Sequence, residues 1–144
     1  MTTRMDVIAE ARSWLGTPFQ HQASLKGVGC DCIGLVKGVG LALHLADYDE
    51  NKAKPFLNYR MMPDSKKMRE ALAIFFAPIQ VSEATLADIL FLAWTKEPQH
   101  LAIITDRGII HSYSGVGKVV EHSLDERWKK RVTAAYRYPY FMEH

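Results

Sequence analysis

The stretch Gly27-Val28-Gly29-Cys30-Asp31-Cys32-Ile33-Gly34-Leu35-Val36 passes from a glycine-punctuated loop into a run that stays apolar on nearly every face as far as Leu45. Such a run is what a central buried helix requires, and the two cysteines fall where that helix begins. Asp31 is a residue type that caps a helix N-terminus. A thiolate at such a terminus is stabilised by the positive end of the helix dipole, and the unpaired amides of the first turn can hold a developing oxyanion. Cys32 is the better placed nucleophile, because Cys30 sits farther out in the loop. Taken alone, a cysteine is as readily a small buried hydrophobe. A disulfide between cysteines one residue apart would be strained, and no second Cys/His pair supplies a zinc site. Both therefore read as free thiols, with no metal and no cofactor expected.

Upstream, Thr3 and Asp6 form a capping pair at the start of a helix on which Ile8, Ala11 and Leu15 recur at helical spacing, and Gly16-Thr17-Pro18 ends it. Downstream, residues 46 to 63 are polar and proline-punctuated, as a loop is. A third helix is expected from Asp64 or Ser65 to Phe76, with Met68, Leu72, Phe75 and Phe76 on one side and Pro78 stopping it. After Pro78 the period becomes that of strands: Ile89 to Trp94, Leu101 to Thr105, Ile109 to Tyr113, Lys118 to His122 and Val132 to Tyr138, with turn signals at Asp106-Arg107-Gly108 and Ser114-Gly115-Val116-Gly117. Helices first and strands second predict an α+β fold in one domain, residues 1–144, with the central helix packed on an antiparallel meander of about five strands.

A cysteine nucleophile needs a base, and His100 heads an apolar strand while His111 lies on the next. Either histidine alone is more simply a hydrogen-bonded structural residue, but two of them together with a cysteine-bearing helix suit nucleophilic catalysis. Strand register decides whether the rings meet. A turn centred on Thr105-Asp106 sets His100 opposite His111. One centred on Arg107-Gly108 leaves them apart on one face, and a three-residue loop puts them on opposite faces. Contact between the rings is expected to need the first register or a bulge that restores it.

These residues carry a resemblance. Gly16-Thr17-Pro18-Phe19, Asp31-Cys32-Ile33-Gly34-Leu35-Val36, Ala87-Asp88-Ile89-Leu90-Phe91, His100-Leu101-Ala102-Ile103-Ile104 and Ile110-His111-Ser112 resemble, in content, order and spacing, the NlpC-type cysteine peptidases. The likeness runs from residue 11 to about 138. It extends to the branch encoded with phage tails and gene transfer agents, through the Gly-Thr-Pro-aromatic-x-His-Gln opening and the Trp128 to Arg131 ending. The resemblance implies a stripped-down papain-like domain that hydrolyses peptidoglycan stem peptides, typically between the γ-carboxyl of D-glutamate and a diamino acid. It implies Cys32 as nucleophile, His100 as general base and acid, and His111 as the orienting residue, with Phe19, Asp31 and Ile33 beside the substrate. Phe19 stands where the family usually has Tyr, Ile33 where it usually has Ser, and Ala87 where Gly is common. Phage-tail-like structural proteins are the partners that this branch implies. An amidase or acyltransferase using the same Cys-His pair, or a non-catalytic wall-binding module, are the competing readings.

Other features exclude more than they assign. With 48% hydrophobic and 24% charged residues the chain is not disordered, and its net charge of +2 gives no global field for nucleic acid. No run is long enough to span a bilayer, and Asp6 and Glu10 interrupt any signal peptide, so synthesis in the cytoplasm is expected, with delivery to the wall in a phage-like particle or at lysis. Arg127, Lys129, Lys130 and Arg131 read as a solvated face. His21 lies in the loop before the nucleophile, and His44, His122 and His144 have no partner that the sequence identifies.

Overall fold

The computed structural model describes residues 2–45, 65–95 and 97–139. The loop expected at 46–63 and His144 lie outside the described residues. The first helix, α1, is Arg4–Arg12, and its capping box forms as expected: Thr3 Oγ1 accepts from the Asp6 amide at 3.1 Å and Asp6 Oδ2 accepts from the Thr3 amide at 2.8 Å. Val7, Ile8 and Ala11 bury one face. Leu15 falls beyond the helix end and is exposed; Trp14 is the residue that turns inward there. A two-residue hairpin pair, β1 (Ser24–Leu25) and β2 (Gly29–Cys30), then leads into α2 (Cys32–Ala42), and α3 is Ser65–Phe75.

The strands are β3 (Ala77–Ile79), β4 (Ile89–Trp94), β5 (Glu97–Thr105), β6 (Gly108–Tyr113), β7 (Lys118–His122) and β8 (Val132–Arg137), with a short helix α4 (Glu126–Lys129) before the last. They form one antiparallel sheet of six strands in the order β3-β8-β4-β5-β6-β7. The sheet is close to the expected one but is not a plain meander, because β8 crosses back to pair with β4 and accepts β3 on its far side. Helices α1 and α2 cover a core of Ile8, Leu35, Val36, Ile89, Phe91, Leu101, Ile103 and Ile110, and a second cluster gathers Leu90, Leu92, Ala102, Ile109 and Ala135 with Trp94 and Trp128 packed against it.

Two ionic clusters fix how these elements meet. Arg12 of α1 donates to both carboxylate oxygens of Glu121 on β7, at 3.1 and 2.9 Å, and to Asp106 in the β5–β6 turn. Asp88, fully buried, accepts from both Nε and Nη2 of Arg137 at 2.9 Å and from Arg4 at 3.1 Å, tying α1 and β8 to the head of β4. Immediately before it, Ala87 holds φ +72°, the left-handed region that glycine enters without cost.

Candidate active site

Helix α2 begins where the sequence places it because Asp31 terminates the extended backbone and caps it. Its Oδ1 accepts from the Gly34 amide at 2.8 Å, while Oδ2 accepts from the Gln22 amide at 2.7 Å. Both oxygens of this buried carboxylate thus serve the backbone, and one of them draws the preceding loop onto the helix. That loop lies so close that a Cβ on Gly34 would collide with the carbonyl of Ala23. Any other residue at 34 would push the loop off the helix start.

The two thiols have different surroundings. Cys30 is fully buried in β2, and its carbonyl accepts from Ser112 Oγ on β6 at 2.7 Å. Burial pushes its thiol up to about 11, so it stays protonated at neutral pH. Cys32, the first residue of α2, keeps a sliver of exposure. The helix it opens packs against β5 and β6, the strands that carry His100 and His111. Ser112, bonded to Cys30, follows His111 directly.

His100 lies inside β5 rather than at its head, because the strand starts at Glu97, four residues before the apolar run that begins at Leu101. The β5–β6 register is none of the three considered from sequence. Ile103 pairs with Ile110 and Thr105 with Gly108, which makes Asp106-Arg107 the turn. Extended by one residue, this register sets His111 beside Ala102, so that His100 is its diagonal neighbour on the same face. No bulge restores a direct pairing, and none is needed, since diagonal neighbours are within reach of ring side chains. Nε2 of His100 and Nδ1 of His111 come within 2.5 Å.

The contact continues. Nε2 of His111 lies 2.8 Å from Nε2 of His122, and Nδ1 of His122 lies 3.0 Å from the carbonyl oxygen of Ser123. His122, for which the sequence identified no partner, therefore ends a line of three imidazoles drawn diagonally across β5, β6 and β7. The pairing of His111 with Val120 and of Ile109 with His122 produces the second diagonal. The only sequence signal for it was an even spacing of polar residues on adjacent strands, which carries no information until the register is known. His111 stacks on Tyr113 at 5.4 Å and 12°, and meets Trp128 of α4 edge-on at 5.0 Å. Burial first, then the neighbouring imidazoles, push His111 down to about 2, so it is neutral throughout the working pH range. It can pass a hydrogen bond along but does not hold a charge.

The other expected residues are placed as follows. Phe19 is half-buried and forms a parallel bridge with Cys30, its amide donating to the Gly117 carbonyl at 2.8 Å. Ile33 packs against the helix-side core. Within the basic run, the Arg131 guanidinium lies over Trp94 at 4.3 Å and over Trp128 at 4.7 Å. That cation is therefore part of the aromatic wall beside the histidines, not of a solvated face. Among the described residues no group of His, Cys, Asp and Glu is arranged to hold a metal ion, and no helix is long and apolar enough to cross a membrane.

The sequence matches no protein-family model and no curated protein. Its structure does match solved ones. It is similar to the NlpC/p60 domain of the peptidoglycan hydrolase SagA, at 22% identity and a TM-score of 0.63, covering 94% of this chain and 98% of that one. It is similar to an NlpC/p60 family protein of Bacillus cereus, at 20% identity and a TM-score of 0.66, covering 95% of this chain and 40% of that one. A third likeness is to the peptidoglycan hydrolase RipB of Mycobacterium tuberculosis, at 15% identity and a TM-score of 0.57, covering 96% and 65%. The fold is thus the papain-like α+β fold of NlpC/p60 domains, and its solved neighbours include peptidoglycan hydrolases.

Proposed function

We propose that this chain is a cysteine endopeptidase acting on peptidoglycan stem peptides, at the bond between the γ-carboxyl of D-glutamate and a diamino acid. The observation that carries the reading is the 2.5 Å contact between His100 and His111 on the strands against which the Cys32 helix packs. In this reading His100 takes the thiol proton of Cys32, and the thiolate attacks the peptide carbonyl. The leading amides of α2 stabilise the oxyanion. His100 then returns the proton to the leaving amine, and water hydrolyses the thioester by the same general-base route. His111 remains neutral and orients His100. Support comes from the fold it shares with peptidoglycan hydrolases and from the motif residues standing at the helix start and on adjacent strands. Phe19 and Ile33 border the peptide, and Asp31 holds the helix start in place. The branch resemblance adds a route to the wall, within a phage-tail-like particle and among its structural proteins, or release at lysis.

The test is digestion of purified peptidoglycan of defined stem chemistry, with mass analysis of the fragments. Wild-type protein is expected to release fragments that end at D-glutamate, and Cys32→Ala, at unchanged melting temperature, to release none. Fragments produced equally by Cys32→Ala would remove the thiol mechanism.

A further inference from the structure

We propose that His122 is a positioning residue which, anchored by the carbonyl of Ser123, fixes the tautomers of His111 and His100 and so leaves the basic lone pair of His100 on Nδ1. The inference rests on the cysteine-histidine chemistry above, and it concerns which nitrogen is basic, not which bond is cut.

The ring hydrogens can be counted along one line. A peptide carbonyl only accepts, so the 3.0 Å contact with Ser123 requires the hydrogen of His122 to be on Nδ1. With that single ring hydrogen placed, His122 presents a lone pair at Nε2, and the 2.8 Å contact there requires His111 to donate from its own Nε2. Neutral His111 is left with its lone pair on Nδ1, and the 2.5 Å contact requires His100 to donate from Nε2. Neutral His100 is therefore basic at Nδ1. With one hydrogen and one lone pair on each imidazole, the carbonyl at the far end decides all three. His111, the middle member, is fully buried and is kept neutral by that burial, so it relays the order set at the far end and does not interrupt it. Reversed, the line would have His111 donate from Nδ1 to His100, whose own hydrogen would then sit on Nδ1, and His100 would have no lone pair for a thiol proton.

The surroundings hold His122 to this one job. Its ring lies against Trp128 of α4 at 4.9 Å. Its strand neighbour Glu121 is already engaged by Arg12 and Thr105. The backbone that supplies the Ser123 carbonyl runs across Gly108, where a Cβ would strike the His122 carbonyl and the main chain of Ser123 and Leu124.

The experiment labels the histidines with nitrogen-15 and reads ring tautomers from long-range proton-nitrogen spectra at pH 8, above the ordinary histidine range. Wild-type protein is expected to show His111 protonated on Nε2 and His122 on Nδ1. In parallel, the rate of Cys32 alkylation by iodoacetamide is followed by peptide mass. His122→Phe keeps the ring against Trp128 but removes the acceptor, and is expected to slow alkylation by about tenfold or more and to let the His111 hydrogen redistribute. His122→Gln restores an acceptor for the His111 hydrogen and should stay within about threefold of wild type. A wild-type spectrum with the His111 hydrogen on Nδ1, or wild-type alkylation in His122→Phe, overturns the proposal. Both readouts are independent of peptidoglycan cleavage, so a protein that cuts no wall but shows these tautomers refutes the proposed activity alone.

Discussion

Two buried polar networks sit on the same sheet, and they are built on opposite principles. Around Asp88 a carboxylate meets two guanidiniums at 2.9 to 3.1 Å. Every proton there has one permanent owner, since arginine does not release its own. Along His100, His111 and His122 the contacts are as short, but an imidazole hydrogen can sit on either ring nitrogen. The first network resists rearrangement because moving any part strands a buried charge. The second is held in one state only by its last acceptor. A protein that needs a fixed frame and a mobile proton has here assigned the two tasks to different chemistries.

Substitutions can break that division. His111→Phe keeps the stack on Tyr113 while interrupting the proton line, and wall cleavage per folded molecule is expected to fall about a hundredfold or more, with stability lower by only about 1–3 kcal/mol from the unpaired nitrogens. Asp88→Asn should do the reverse. Chemical denaturation is expected to show a loss of about 3 kcal/mol or more, as two arginines face an uncharged amide, while the cleavage rate per folded molecule changes little. Equal effects of the two substitutions on rate would mean that the networks are not separate in function.

Phe19→Tyr sharpens the comparison by adding a hydroxyl on the segment that bridges to Cys30, instead of removing a support. If a hydroxyl there reaches the reacting centre, turnover rises about ten- to a hundredfold with little change in KM, corresponding to about 1–3 kcal/mol. Lower turnover with a lower melting temperature would show that position 19 is only packing. The smallest expected effect concerns Cys30. Its thiol is raised in the fold, so the unfolded chain deprotonates first, and the stabilisation is complete below about pH 9 and lost as pH rises toward 11. Cys30→Ala should flatten that alkaline decline in melting temperature, with both proteins matching more closely at pH 10 than at pH 7.

Much of the frame can be read from local chemistry. Thr3 with Asp6, and Asp31 before an apolar run, mark helix starts because capping is settled within four residues. Ile89 to Trp94 and Lys118 to His122 are strands with the bounds their composition suggests. Long-range pairing is where local pattern loses its hold. Nothing within Val132 to Arg137 says that this strand returns to β4, and nothing in Ala77 to Ile79 says that it pairs at all. The same holds at the site. Cys32, His100 and His111 stand out as residue types, yet the Asp106-Arg107 turn that makes the histidines diagonal neighbours is pinned from outside by Arg12. His122 becomes visible only after two registers are known, and Arg131 leaves its basic run only because two tryptophans from separate elements flank it.

The proton line ends on a peptide group, and a peptide group has no letter of its own. Position 123 can accept nearly any side chain and still offer the same oxygen, so that position would look dispensable in any comparison of sequences. The constraint is displaced to Gly108, a residue outside the line whose missing side chain leaves room for the main chain to pass. Relatives that share this arrangement should therefore be sought by a small residue after the β5–β6 turn, together with a histidine at the end of the strand beside it, and not by any residue at the terminus of the line.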